Sequence, residues 1–99
     1  MVLTVLEAHV AEGREHALTV AYDAATARPL PPGLVRSELL RDARDPKRWR
    51  IQTHWASREA LEAMRAAGTP EGILMFRAAG AEPVLSVFEV VAAPLPEPR

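Results

Sequence analysis

A chain of 99 residues, 48% apolar and 25% charged, has material for one hydrophobic core and not two, so a multi-domain enzyme is excluded. Its formal net charge of −1 creates no field that gathers polyanions or anionic lipid surfaces, and the absence of cysteine removes disulfides, thiolate nucleophiles and cysteine-ligated metal centres. The longest apolar stretches, such as 1–6 and 84–88, fall far short of the roughly 20 residues that span a bilayer, and with no basic segment leading an apolar run the expected location is the cytoplasm.

Val2–Val10 is apolar and β-branched, with Glu7 and His9 on one parity and Val2, Leu6, Ala8 and Val10 on the other, which predicts a strand covered on both sides. Glu12–Arg28 sets Ala17, Leu18, Ala21, Tyr22 and Ala25 at helical spacing and predicts a first helix that stops at Pro29. The segment Pro29–Gly33 holds three prolines, which remove donors and fix φ, so it reads as a rigid connector. Leu34–Arg41 is a second strand with mixed faces, and the Asp and Pro content of Asp42–Pro46 turns it back as a hairpin. The third strand, Trp49–Trp55, alternates cleanly: Trp49, Ile51, Thr53 and Trp55 share one face, while Arg48, Arg50, Gln52 and His54 share the other. Ser57 is an N-cap for a helix Arg58–Ala67, whose inward stripe is Ala60, Leu61, Met64 and Ala67 and which ends at Gly68. Thr69 as cap and Pro70 as first-turn proline reopen a helix to Gly80. Val84–Val91 is the last strand, which leaves one domain over 1–91 and a proline-spaced tail over 92–99.

The order β-α-β-β-α(α)-β is the ferredoxin-like split βαβ pattern of an α+β protein, a four-stranded antiparallel sheet with helices on one face. Leu3, Val5, Val87 and Val91 are assigned to the other face. Left to water, they make a larger contiguous apolar area than monomers expose. Two copies packed sheet against sheet, a homodimer in the form of a dimeric α+β barrel, resolve this.

Pro32-Gly33, then Leu40-Arg-Asp-Ala-Arg-Asp-Pro46, then Trp49-x-Ile51-x-x-x-Trp55-x-Ser57-x-Glu59-Ala-Leu61 form a run whose order and spacing resemble the antibiotic biosynthesis monooxygenase family over roughly 2–91. The resemblance implies a homodimer with a pocket between sheet and helices in each subunit. For some members it also implies oxygenation of electron-rich aromatics without metal or prosthetic group. Many members carry a histidine in the second helix where Met64 stands here, and haem-degrading relatives use a first-strand asparagine that aligns with Leu6. Both polar anchors of a haem site are missing, so the resemblance implies no haem and no cofactor.

Cofactor-free oxygenation needs an apolar pocket, a base that makes the substrate electron-rich, and a donor for the developing anion. Tyr22, Trp49, Trp55, Met64, Phe76 and Phe88 are expected to converge between sheet and helices as the substrate pocket, with ordinary core packing as the competing reading. Histidine titrates nearest working pH, and the chain has His9, His16 and His54. His16 lies off the apolar stripe and reads as solvated. His9 and His54 fall on the dimer-facing parity, so they are candidate bases or interface histidines, and the catalytic candidates are His54, Tyr22 and His9. Three dispersed histidines lack metal-ligand spacing, so no metal is expected. The arginines from Arg36 to Arg50 pair with Asp42 and Asp45 as a surface network, and nucleic acid is not an expected partner, because the tryptophans share the helix-covered parity. The resulting expectation is a cofactor-independent monooxygenase acting on a quinol-type or polyketide-like aromatic. The alternative is a non-catalytic dimeric barrel that binds a small hydrophobic ligand.

Overall fold

The alternation of residues 48–55 becomes a central strand in the computed structural model, which describes residues 1–94. The elements run β1 Val2–His9, α1 Glu15–Thr26, β2 Leu34–Arg41, β3 Arg48–Trp55, α2 Arg58–Ala66, α3 Glu71–Ala78 and β4 Val84–Glu89. The strands form one antiparallel sheet in the order β2-β3-β1-β4. This is the expected four-stranded α+β architecture.

Register decides which side chains meet the helices. β1 and β3 pair from Val2 opposite Trp55 to His9 opposite Arg48, so Leu6, Ala8, Trp49 and Ile51 share one face and pack with Leu18 of α1 and Met75 and Phe76 of α3. Leu18 and Phe76 are fully buried, and each such side chain contributes about 1.5–3 kcal/mol of transfer free energy. At the other end of the same face Val2 and Trp55 pack on Leu61 of α2.

Local chemistry fixes the helix ends. The Ala60 N–H donates to Ser57 Oγ at 3.1 Å, the predicted N-cap, worth about 1 kcal/mol. α3 departs from the expectation by one residue: Pro70, extended at φ −54° and ψ 138°, is itself the N-cap and no side chain caps the helix. Thr69 is therefore one position too early to cap. Gly33 sits just before β2 with φ +83°, and its carbonyl accepts the Ala56 N–H at 2.8 Å. A Cβ there would lie 2.4 Å from Ala60 Cβ, so the connector rests directly on α2.

β4 corrects the parity read from sequence. Its pairing with β1 sets Val87 opposite Thr4 and Leu85 opposite Leu6, while Phe88, Ser86 and Val84 oppose Leu3, Val5 and Glu7. Val87 therefore belongs to the helix side, and Phe88 takes the place on the open face that was assigned to Val87. Val91 lies beyond the strand and is exposed. An edge strand with apolar residues on both parities carries no polar marker of its inward face, which is why alternation alone misassigned it. Of the tail over 92–99, residues 92–94 carry no regular element, and 95–99 lie outside the described residues.

Candidate functional site

Where α1 ends, the chain crosses the sheet through the proline connector, and a cavity of about 440 Å³ opens beneath it. Its floor is the helix-facing side of three strands, Thr4 and Leu6 of β1, Leu34 and Ser37 of β2, and Ile51, Thr53 and Trp55 of β3. Tyr22, Met64 and Met75 wall it from the three helices. The lining is mostly apolar, the usual character of a small-molecule site. Gly72 lets the start of α3 approach the floor: a Cβ there would lie 2.6 Å from Leu6 Cδ1.

One row of neutral hydroxyls crosses this apolar floor. Tyr22 Oη donates to Ser37 Oγ at 3.0 Å, and Ser37 Oγ lies 3.4 Å from Thr53 Oγ1. Thr4 Oγ1 accepts the Trp55 indole N–H at 3.2 Å and reaches the Thr53 carbonyl at 3.5 Å. The row exists because Thr4 and Thr53 are register partners, Ser37 pairs with Thr53 from β2, and Tyr22 points down from α1. At the mouth Arg28 and Glu71, both exposed, pair at 3.4 Å.

Of the six residues expected to form the pocket, the structure brings together Tyr22, Trp55 and Met64. Trp49 and Phe76 are instead buried in the core beside Leu18, and Phe88 is half-exposed on the opposite face. Helical and strand spacing reports which way a side chain faces. It does not report whether the space in front is filled.

The three histidines stay away from the cavity. His9 lies at the exposed end of β1 with Nε2 3.2 Å from Asp45 Oδ2. His54 occupies the open face of the sheet, opposite Leu3 and Arg36, with a buried Nδ1 that has no hydrogen-bond partner. His16 is exposed on α1. His9 and His54 therefore lie on the dimer-facing parity read from sequence, and as candidate bases neither imidazole meets Tyr22 in the cavity. Sequence reasoning missed Ser37, Thr53 and Thr4 as site residues. The available signal was a hydroxyl on the core-facing side of three strands, where aliphatic residues are the rule.

Charge is concentrated on the open face and at the hairpin end. Glu7 accepts from Arg50 and Arg48 at 2.9–3.2 Å. Those hydrogen bonds, Arg50 first, hold its carboxyl below the ordinary glutamate range. Asp42 is lowered similarly by the backbone N–H groups of Arg44 and Asp45. A second hollow of about 410 Å³ lies here between Glu7, Leu40, Asp42 and the Arg41, Arg48 and Arg50 side chains, with the Arg41 guanidinium 5.7 Å from the centroid of Trp49. Its charges mostly neutralise one another. Among the described residues no three His, Asp or Glu side chains converge as a metal-ligand group, and no helix is long and apolar enough to cross a membrane.

Comparison with known proteins follows the same lines. The sequence profile of the antibiotic biosynthesis monooxygenases matches residues 1–69. No curated protein matches the chain. Among solved structures, a provisionally named antibiotic biosynthesis monooxygenase from Deinococcus radiodurans is 14% identical, with 99% of this chain and 100% of that one covered and a TM-score of 0.74. A variant of SnoaB, a cofactor-independent oxygenase from Streptomyces nogalater, is 24% identical over 97% of each chain, with a TM-score of 0.70. MhuD, a heme-degrader from Mycobacterium tuberculosis with two hemes bound in its active site, is 27% identical over 94% of this chain and 98% of its own, with a TM-score of 0.69.

Proposed function

The chain belongs to the antibiotic biosynthesis monooxygenase family, and from that premise we propose that it is a cofactor-independent monooxygenase for a quinol-type or polyketide-like aromatic. The observation that carries this reading is the apolar cavity between sheet and helices, with the phenol of Tyr22 in its wall and a hydroxyl row across its floor. The substrate supplies all the electrons. A ring C–H para to a phenolic hydroxyl is converted by dioxygen to a quinone carbonyl; one oxygen atom enters the carbon, and the other leaves as water with the two hydrogens lost from carbon and hydroxyl. The protein's part is to take the neutral phenol out of water, hold it beside dioxygen and, as Tyr22 Oη turns its hydrogen from Ser37 to the ligand, donate to the oxygen on which charge develops.

No step runs through haem. The cavity lining offers the thioethers of Met64 and Met75, the phenol of Tyr22 and no imidazole, so it does not fit a histidine-ligated haem. The same lack of an imidazole favours one second reading, a binding module that encloses an aromatic without turning it over. Dioxygen uptake with a panel of anthrones and phenolic quinols that keep a C–H para to a hydroxyl, in metal-free buffer, separates the two. The oxygenase reading expects enzyme-dependent uptake that falls in Tyr22→Phe, and the binding reading expects none.

Assembly completes the proposal. Leu3, Val5, Val84 and Phe88 share the open face of the sheet, and a second copy is the partner that covers it in a homodimer. Sedimentation of the wild type should give a dimer at micromolar concentration and Phe88→Asp a monomer; a monomeric wild type contradicts the barrel.

A further inference from the structure

Counting the hydrogens of the hydroxyl row indicates what the cavity selects. Thr4 is satisfied, since its Oγ1 accepts from Trp55 Nε1 and its hydrogen goes to the Thr53 carbonyl. The Trp55 N–H is spent in the same exchange and is not available to a ligand. Tyr22 spends its hydrogen on Ser37. Ser37 and Thr53 share one contact in which either is the donor, so that contact consumes one of their two hydrogens. One O–H is left over on the Ser37–Thr53 pair, together with lone pairs on Tyr22 Oη and Thr53 Oγ1.

We propose that Ser37 and Thr53 are specificity-determining residues that select a neutral aromatic bearing a phenolic hydroxyl or a ketone, and reject a carboxylate at the buried end of the cavity. The inference rests on the pocket reading given above and refines its ligand. A ketone oxygen accepts the spare hydrogen, and a phenol donates to the free lone pairs, so either replaces the water it loses on entry. A carboxylate needs several donors to offset desolvation, and the row offers one. The cation of the lining, Arg28, stands at the mouth and is already paired with Glu71. The rest of the floor, Leu6, Leu34, Ile51 and Trp55, supports an apolar ring and adds no polar contact. The row can also reverse its donor direction, because each hydroxyl is both donor and acceptor; hydroxyl and carbonyl forms of one ligand are therefore accepted alike.

The test measures binding of three probes, 1-naphthol, naphthalene and 1-naphthoate, by chemical-shift titration of isotope-labelled protein, in wild type, Ser37→Ala, and Ser37→Ala combined with Thr53→Val. Thr53→Ser, which keeps the hydroxyl, is the control for packing at the floor. The wild type should bind 1-naphthol in preference to 1-naphthoate. Relative to naphthalene, the preference for 1-naphthol should fall roughly five- to tenfold in the double variant, the effect of losing one neutral hydrogen bond. Thr53→Ser should retain the preference, and Ser37→Ala tests the row alone if the double variant does not fold. An unchanged ratio in Ser37→Ala and in the double variant, with naphthalene still binding, overturns the selection by hydroxyls and leaves the pocket reading standing. Tighter binding of 1-naphthoate than of 1-naphthol overturns the preference for neutral ligands. If the cavity residues show no shifts with any probe in the wild type, both this inference and the pocket reading fall.

Discussion

Replacing Gly33 by alanine should damage the fold through two separable effects, and a double-mutant cycle can assign each. The residue holds φ +83°, a conformation that costs a side chain with Cβ about 1–2 kcal/mol. Its new methyl would lie 2.4 Å from Ala60 Cβ, and overpacking of this kind typically costs about 1–3 kcal/mol. Ala60 cannot yield easily, because its N–H is held by the Ser57 cap. Together the two effects amount to roughly 2–5 kcal/mol, or a fall in Tm of about 10 to 30 °C for a domain of this size. Ala60→Gly alone should cost up to about 1 kcal/mol of helix propensity. Combined with Gly33→Ala it should recover the steric part, a favourable coupling of about 1–3 kcal/mol in urea or thermal unfolding. Additivity within about 0.5 kcal/mol would refute the contact between connector and helix, since residues that do not touch are additive to that extent.

Four further outcomes follow from the geometry. Glu7→Gln should lower Tm at pH 7 and lose its effect as pH falls below the unfolded glutamate range and the folded carboxyl takes up its proton. The arginine pair depresses the folded carboxyl, so its stabilisation is present above the unfolded glutamate range and disappears as the folded group protonates; a pH-independent difference contradicts the ion-pair account. Trp55 is 3% exposed, and Trp55→Ala should cost about 3–5 kcal/mol, whereas Thr4→Val, which leaves the indole N–H buried without its acceptor, should cost about 1–3 kcal/mol. Denaturant titration measures both, and an unchanged midpoint in either removes the assigned packing. Gly72→Ala gains up to about 1 kcal/mol of helix propensity while pushing the Leu6 methyl toward the cavity, so unfolding should change little and naphthalene affinity should fall; an unchanged affinity would mean the ligand space lies elsewhere.

The parts of the fold legible in the sequence were those where chemistry and period agree. Residues 48–55 alternate polar and apolar without a break, and Ser57 has its acceptor three residues ahead of the N–H it caps, so both appear in the structure as read. β4 was legible as a strand but not as a surface, because Val84 to Phe88 present apolar groups on either parity and the face is set by the register with β1. The site was less legible than the fold. Tyr22, Trp55 and Met64 point into the cavity as spacing suggests, yet Phe76, equally apolar and inward, is sealed in the core. Depth along a helix depends on how closely it docks, and here that is set by Gly72 over Leu6, a contact across 66 positions of chain. The hydroxyl row is also a product of register. Thr4, Ser37 and Thr53 are individually unremarkable, and pairing of three strands makes them neighbours.

The central claim is that dioxygen and an aromatic react inside this cavity without a cofactor. Its most direct measurement is turnover of an anthrone, which keeps a C–H para to its phenolic form's hydroxyl, under isotopically heavy dioxygen in chelator-treated buffer, with mass spectrometry of the product and parallel assay of hydrogen peroxide. The account predicts one heavy oxygen atom in each enzyme-formed quinone carbonyl, one dioxygen consumed per product, no accumulated peroxide, and a lower rate in Tyr22→Phe. Product formed at the rate of the enzyme-free solution, in wild type and variant alike, would contradict it.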